Sequence, residues 1–209
     1  MNQELSDQLA FIKSWLGTGS VNIFGLPMSG KDTVGVKFAQ FLGAKFLSSG
    51  LILREVEKVT HKNLTSSGAL APSDLFYLYV LPYFSRPDIA SFPLILSSVG
   101  RWAGEEDAVL ASAEAAHHPI KLAVLLELSE KDVLDRFEAA PLLGDRGSRP
   151  DDTKPEVFNR RIREFNEKTI PVLNHYESLG LLIKVPAHAD RSTVLETFIT
   201  QVYNYARQH

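Results

Sequence analysis

Gly25-Leu26-Pro27-Met28-Ser29-Gly30-Lys31 sets a lysine directly after the second of two glycines, in the spacing GxxxxGK. Small residues at the tight points of such a loop let successive backbone N–H groups turn inward around phosphate oxygens. A helix beginning at the lysine would add the positive end of its dipole. Lys31 would supply a mobile cation for the β- and γ-phosphates of ATP. Gly25, Pro27, Met28, Ser29, Gly30, Lys31, Asp32 and Thr33 are therefore the candidate ATP-binding residues of this segment. Met28 is bulky, so its side chain must point away from the phosphates. The general motif has Ser or Thr after the lysine, with its hydroxyl on Mg²⁺, whereas here Asp32 intervenes before Thr33. Asp32 reads either as a direct Mg²⁺ ligand or as a first-turn acid that favours the helix dipole. The plain alternative for the whole motif is a chance strand–turn–helix carrying a lysine. Its place between an apolar strand and a helix, early in an α/β pattern, favours phosphate binding.

Phosphoryl transfer asks a protein for positioning, charge neutralisation and exclusion of water rather than for covalent chemistry. A protein joining two anionic nucleotides should gather arginines around a cleft. Arg54, Arg101, Arg136, Arg146, Arg149, Arg160, Arg161 and Arg163 fall at element ends or in loops. Any one of them could be an ordinary solvated charge. Arg101 is the more informative because it directly follows a strand, and ligands of open α/β sheets bind beyond the carboxyl ends of strands. Trp102 could stack on a base or serve as a half-buried structural aromatic. His117-His118 before Pro119 invites a metal reading, but adjacent residues at a helix end diverge and no third ligand is evident. Both are expected to be solvated turn residues.

The elements that must position these groups follow from periodicity. Leu5, Leu9, Ile12 and Leu16 predict an amphipathic helix over 3–16, ended by Gly17 and Gly19. Residues 21–24 form a short buried strand, followed by the glycine loop and a helix over about 31–42. Weaker signals give a strand at 45–47, helix 50–60, a polar turn region over 61–74 and helix 74–84. Strands are expected at 92–96 and 122–128, with helix 104–116 between them. Ser129 is a candidate N-cap for a helix that gives out near Pro141. A long helical pattern runs from about 155 to 179 with Gly180 closing it, then strand 181–185 and helix 191–207. Strands alternating with helices mean an α/β fold, a parallel sheet covered on both faces.

The 209 residues suit one domain; 44% are apolar and 22% charged, with a net charge of -3 and a pI of about 6.1. Such a balance gives no global footprint for nucleic acid or an acidic membrane. No apolar run nears the roughly 20 residues of a membrane span. The N-terminus lacks the basic start and long apolar stretch of a signal peptide, so a cytoplasmic location is expected. With no cysteine there is neither a disulfide nor a Cys-ligated zinc site.

Taken in order along the chain, these blocks resemble the adenylate kinases, nucleoside monophosphate kinases of the P-loop class, in their short-lid form. The likeness runs from Val21 to Tyr203. The family's GxPGSGKGT is matched by residues 25–33, GLPMSGKDT, and its STGDLLR by residues 48–54, SSGLILR. G-x-L-V-P-D resembles Gly68-Ala69-Leu70-Ala71-Pro72-Ser73-Asp74, and LDGFPR resembles Leu96-Ser97-Ser98-Val99-Gly100-Arg101. V-P-x-E-x-L-x-x-R is similar to residues 128–136. The RxDD…RL…Y…T-x-P block is similar to Arg149-Pro150-Asp151-Asp152, Arg161-Ile162, Phe165 and Thr169-Ile170-Pro171.

The resemblance implies a single P-loop domain over 1–209, whose five-stranded parallel sheet has the order 2-3-1-4-5. An acceptor-binding flap would lie at about 48–74 and a short lid at about 140–150. It implies a monomer that takes ATP with Mg²⁺ and a nucleoside monophosphate. Lys31 would hold the ATP phosphates and Arg136 would lie over the ATP base. Arg54 and Arg101 would hold the acceptor phosphate, beside Ser49, Gly50, Ala71 and Glu105. Arg149 and Arg161 would close on the transferring group, making Lys31, Arg101, Arg149 and Arg161 the catalytic set. The sequence departs from the family at the site: Leu51 and Ser97 stand where two acids serve the Mg²⁺ shell, Gly100 replaces a proline, and Ala140 falls where a second lid arginine would be, with Arg146 of the lid as the candidate replacement. Glu105 stands where a glutamine reads the acceptor adenine. A carboxylate only accepts, so it would suit a base edge with donors, as in guanine or cytosine, or else be a helix-start acid. Two readings stay open at this stage: an active kinase, or a catalytically weak nucleotide-binding sensor or scaffold.

Overall fold

The apolar periods become five parallel strands and their crossover helices in the computed structural model, which describes residues 3–61, 70–139 and 154–209. Helix α1 (Gln3–Leu16) leads to β1 (Ser20–Gly25), α2 (Lys31–Leu42), β2 (Lys45–Ser48) and α3 (Ser49–Thr60). The middle of the chain holds the short α4 (Ser73–Leu75), β3 (Leu94–Ser97), α5 (Glu105–Ala115), β4 (Ile120–Glu127) and α6 (Glu130–Ala139). Then come α7 (Pro155–Glu164), α8 (Ile170–Ser178), β5 (Leu182–Pro186) and α9 (Arg191–Ala206). The sheet order is β2-β3-β1-β4-β5, as expected. The expected lid, with Arg146 and Arg149, and residues 62–69 of the expected flap lie outside the described residues.

Strand β1 sits at the centre, with Ile23 opposite Ser97 of β3 on one side and Val124 of β4 on the other. All its residues are buried, which is why it reads as a continuous apolar run rather than an alternation. Successive side chains nevertheless go to opposite faces. Val21, Ile23, Ile95, Leu122 and Val124 join the core under α1, α2 and α9. Phe24, Leu94, Leu96 and Ala123 join a second core that includes Val109 of α5 and Tyr176 of α8. Phe38 of α2 meets Phe198 of α9 edge-on at 5.0 Å in the first core.

Two expected helices are interrupted, each at a proline. The 74–84 pattern is realised as α4, a π turn (Phe76–Val80) and a 3₁₀ turn (Leu81–Ser85) that carries Pro82. The 155–179 pattern divides into α7, a π turn (Phe165–Thr169) and α8, with Pro171 in the first turn of α8. Proline has no amide for the helical ladder and its ring crowds the preceding carbonyl, so the widened turn absorbs it. Gly180 adopts φ +71°, and the bonds Gly180 N to Glu177 O (3.0 Å) and Leu181 N to Tyr176 O (2.9 Å) cap α8. At α6, Ser129 Oγ accepts from the Asp132 amide at 3.1 Å, as a cap should. The histidine pair corrects one expectation. His117 is exposed, but His118 is fully buried, with Nδ1 2.7 Å from the Thr18 carbonyl oxygen. The chain turns at His117 (φ +62°), which throws the two rings to opposite sides.

No helix among the described residues is long and apolar enough to cross a membrane. Asp190 caps α9: one carboxylate oxygen accepts from the amides of Ser192 (2.9 Å) and Thr193 (3.1 Å). Hydrogen bonds from Ser192 and then Thr193 hold its carboxyl far below the usual value of 3.8. A depressed carboxyl stabilises the fold above the unfolded value and loses that contribution as pH falls through its folded value. Asp190→Ala should therefore lower Tm by about 2–4 °C at neutral pH, and thermal melts below pH 3.8 should show the gap from the wild type closing.

Candidate active site

The loop after β1 turns tightly because glycine is required at both ends. A Cβ on Gly25 would lie 2.5 Å from Ser29 Oγ, and Gly30 holds φ +88° as the N-cap of α2. Glycine at the cap contributes no side-chain hydrogen bond, and the first-turn amides of a helix point outward from its N-terminus as an anion site would need. Met28 is left-handed too, at φ +65°, a conformation that costs an L-residue about 1–2 kcal/mol.

Parallel pairing brings the end of β3 beside this loop. Ser97 Oγ donates to Asp32 Oδ1 at 2.5 Å, joining the first turn of α2 to the adjacent strand end. Beyond Ser97 the chain is clamped by Asn22, buried inside β1. Its Nδ2 donates to the Val99 carbonyl (2.7 Å) and its Oδ1 accepts from the Val99 amide (3.2 Å). Sequence reasoning passed over Asn22. Its signal was a single amide inside an apolar strand, which must find partners when buried.

Arg101 is held from several directions. Its amide and that of Trp102 donate to Glu105 Oε2 at 2.8 and 3.1 Å. Its Nε donates to the Ser98 carbonyl at 3.2 Å. The other Glu105 oxygen accepts from Ser73 Oγ at 2.7 Å, and Glu106 accepts from the Gly104 amide at 2.7 Å. Gly100 (φ +76°) completes the bend, where a Cβ would come within 2.9 Å of Val109 Cγ2. Glu105, which the sequence left open as a base reader or a helix-start acid, is buried with both oxygens engaged by its own neighbours.

On the opposite wall, Ser49 Oγ donates to the Ser98 carbonyl at 3.2 Å. Arg54 folds back over Gly50, where a Cβ would stand 3.2 Å from its Nη1. The Trp102 indole N–H donates to the Ala71 carbonyl at 3.1 Å, and Lys168 Nζ lies 3.8 Å from the centre of the indole ring. No sequence spacing pointed to Lys168, because the π turn decides which side of the helical segment faces Trp102.

Lys31, Arg54, Arg101 and Arg161 line one cleft, together with Gly25, Pro27, Asp32, Ser49, Gly50, Ala71 and Glu105. Met28, Ser29, Gly30, Thr33 and Arg136 do not line it. Thr33 is exposed. Arg136 donates to the carbonyls of Met28 (3.2 Å) and Ala187 (2.6 Å), bracing the glycine loop against the end of β5. Four cations in one concave surface of a protein with net charge -3 focus the field on anionic ligands. Among the described residues no group of three His, Cys, Asp or Glu side chains could hold a metal. The Asp32 carboxylate and Ser97 hydroxyl are oxygen donors of the kind Mg²⁺ takes alongside phosphate oxygens.

No protein-family model matches the chain. Relatives that cover most of the chain do. It is 30% identical to the adenylate kinase of Mycobacterium bovis over 185 residues, 82% of this chain and 97% of that protein. It is likewise 30% identical to the adenylate kinase of Chelativorans sp. over 172 residues, 77% of this chain and 86% of that one. With the adenylate kinase of Bartonella bacilliformis it shares 27% identity over 180 residues, 82% of this chain and 93% of that protein. A parallel β2-β3-β1-β4-β5 sheet, a glycine loop opening α2 and this extent of likeness agree on one lineage: the chain belongs to the adenylate kinase family.

Proposed function

We propose that the protein transfers the γ-phosphoryl group of ATP directly to a nucleoside monophosphate, giving ADP and a nucleoside diphosphate. The observation that carries this reading is the convergence of Lys31, Arg54, Arg101 and Arg161 from separate elements on one cleft. A protein that only bound one nucleotide would have no need of cations on two phosphate groups and on the group between them. In this reading Lys31 and the first-turn amides of α2 hold the ATP phosphates. Arg54 and Arg101 hold the acceptor phosphate. Arg161, with Arg149 from outside the described residues, neutralises the group in transfer. An acceptor phosphate oxygen forms the new P–O bond, the bond from the γ-phosphorus to the bridging oxygen breaks, and ADP leaves with the electron pair. No protein residue is phosphorylated. Asp32, steadied by Ser97, would hold Mg²⁺, whose charge offsets that of the phosphates when it is bound.

Glu105 fits a positioning role better than base reading, since three donors already occupy its oxygens. The identity of the acceptor base then rests on other groups of the cleft wall, such as Leu53, Phe76 and the backbone near Ala71.

A coupled assay of ATP consumption against a panel of ribo- and deoxynucleoside monophosphates tests the proposal. Turnover with at least one acceptor is expected, and tight ATP binding without transfer to any would sink it. Lys31→Ala should keep the fold and cut turnover by about 100-fold or more. Asp32→Asn should raise the Mg²⁺ concentration for half-maximal rate by about tenfold, and an unchanged Mg²⁺ titration would leave Asp32 as a helix-start acid. Glu105→Ala takes away the acceptor of the Arg101 and Trp102 amides and of the Ser73 hydroxyl, so denaturant unfolding should show a loss of about 1–3 kcal/mol.

A further inference from the structure

Among the described residues only four other than glycine hold positive φ, and Met28 is one of them, in the glycine loop itself. Glycine would adopt that conformation without strain. A long side chain in such a place persists only where its surroundings over-determine it. Two contacts do so here. The Met28 carbonyl accepts from Arg136 Nη1 at 3.2 Å. Its side chain, partly buried, packs against a cluster separate from both sheet cores, formed with Leu26 by Val133 and Phe137 of α6 and Phe158 and Ile162 of α7. The rings of Phe137 and Phe158 stack at 4.2 Å, so α6 and α7 act as one packed unit at this point. Ile162 faces this cluster while its neighbour Arg161 lines the cleft. Methionine is suited to such a seat, because its unbranched thioether fills irregular gaps.

We infer that Met28 is a positioning residue that fixes α7, and with it Arg161, relative to the glycine loop and Lys31. The loop is thereby tied to the helix whose arginine faces the same cleft, by apolar packing rather than by charge. The kinetic part of this inference rests on the phosphotransfer reading above; the mechanical part does not.

The test compares Met28→Gly with Met28→Leu in the full chain. In the nucleotide-free protein, Met28→Gly should speed amide hydrogen exchange in residues 155–164 by about tenfold, with Met28→Leu close to the wild type. On the phosphotransfer reading, Met28→Gly should also lower kcat by about tenfold while changing KM for ATP little. In an Arg161→Ala background the same substitution should then have no further effect on kcat, because the group it positions is gone. Unchanged exchange in α7 overturns the inference, as does a kcat loss that adds in full to that of Arg161→Ala. If the wild type transfers no phosphoryl group to any acceptor, the phosphotransfer reading fails by itself and the exchange result alone decides whether Met28 ties the loop to α7.

Discussion

Backbone hydrogen bonding on both edges of β1 dictates the geometry of everything that follows. With β3 on one side and β4 on the other, all running the same way, the carboxyl ends of the strands lie side by side. Gly25, Ser97 and Leu126 therefore open onto the same end of the sheet. The glycine loop and the Arg101 loop are neighbours because their strands are, and no side-chain interaction had to bring them together. What side chains add is restraint. Asn22 reaches from inside β1 to clamp Val99, so that the strand which launches the glycine loop also holds the loop that carries Arg101.

The acids of the site are spent on backbone and hydroxyl donors. Asp32 accepts from Ser97, Glu105 from two amides and Ser73, Glu106 from Gly104. A carboxylate fed by fixed donors stays oriented, and each of these orients a segment bearing a cleft residue. Buried polar groups of this kind are costly when half satisfied and rigidifying when complete. They explain how a loop with left-handed Ser98 and Gly100 keeps one shape.

Strain is concentrated at the same end of the sheet. Met28 and Ser98, both non-glycine residues with positive φ, sit in the two loops that frame the cleft. Each is held from outside its own loop, Met28 by Arg136 and an apolar cluster, Ser98 by its amide on Ile23 and by Ser49, while Arg101 adds a bond to Ser98 from within the loop. Loops held this way present their amides and cations in a preset arrangement, which is the form of preorganisation that phosphate chemistry rewards.

The α/β class, the glycine loop and its lysine, Arg101 beyond a strand, and caps such as Ser129 and Gly180 are all legible in the order of residues. Those are local matters: periodicity, backbone freedom and the charge at a strand end leave their trace within a few residues. Tertiary structure alone decided the rest. Glu105 reads equally as a base reader or a helix-start acid until Ser73, 32 residues away, and the amides of Arg101 and Trp102 are seen to fill its oxygens. His118 reads as a solvated twin of His117, yet the positive φ of His117 turns it into the interior against Thr18, 100 residues away. Lys168 meets Trp102 only because a π turn before Pro171 rotates the helical segment. In each case the deciding partner is distant in sequence, and a side chain's role is set by which donors, acceptors and rings the fold brings within a few ångströms of it.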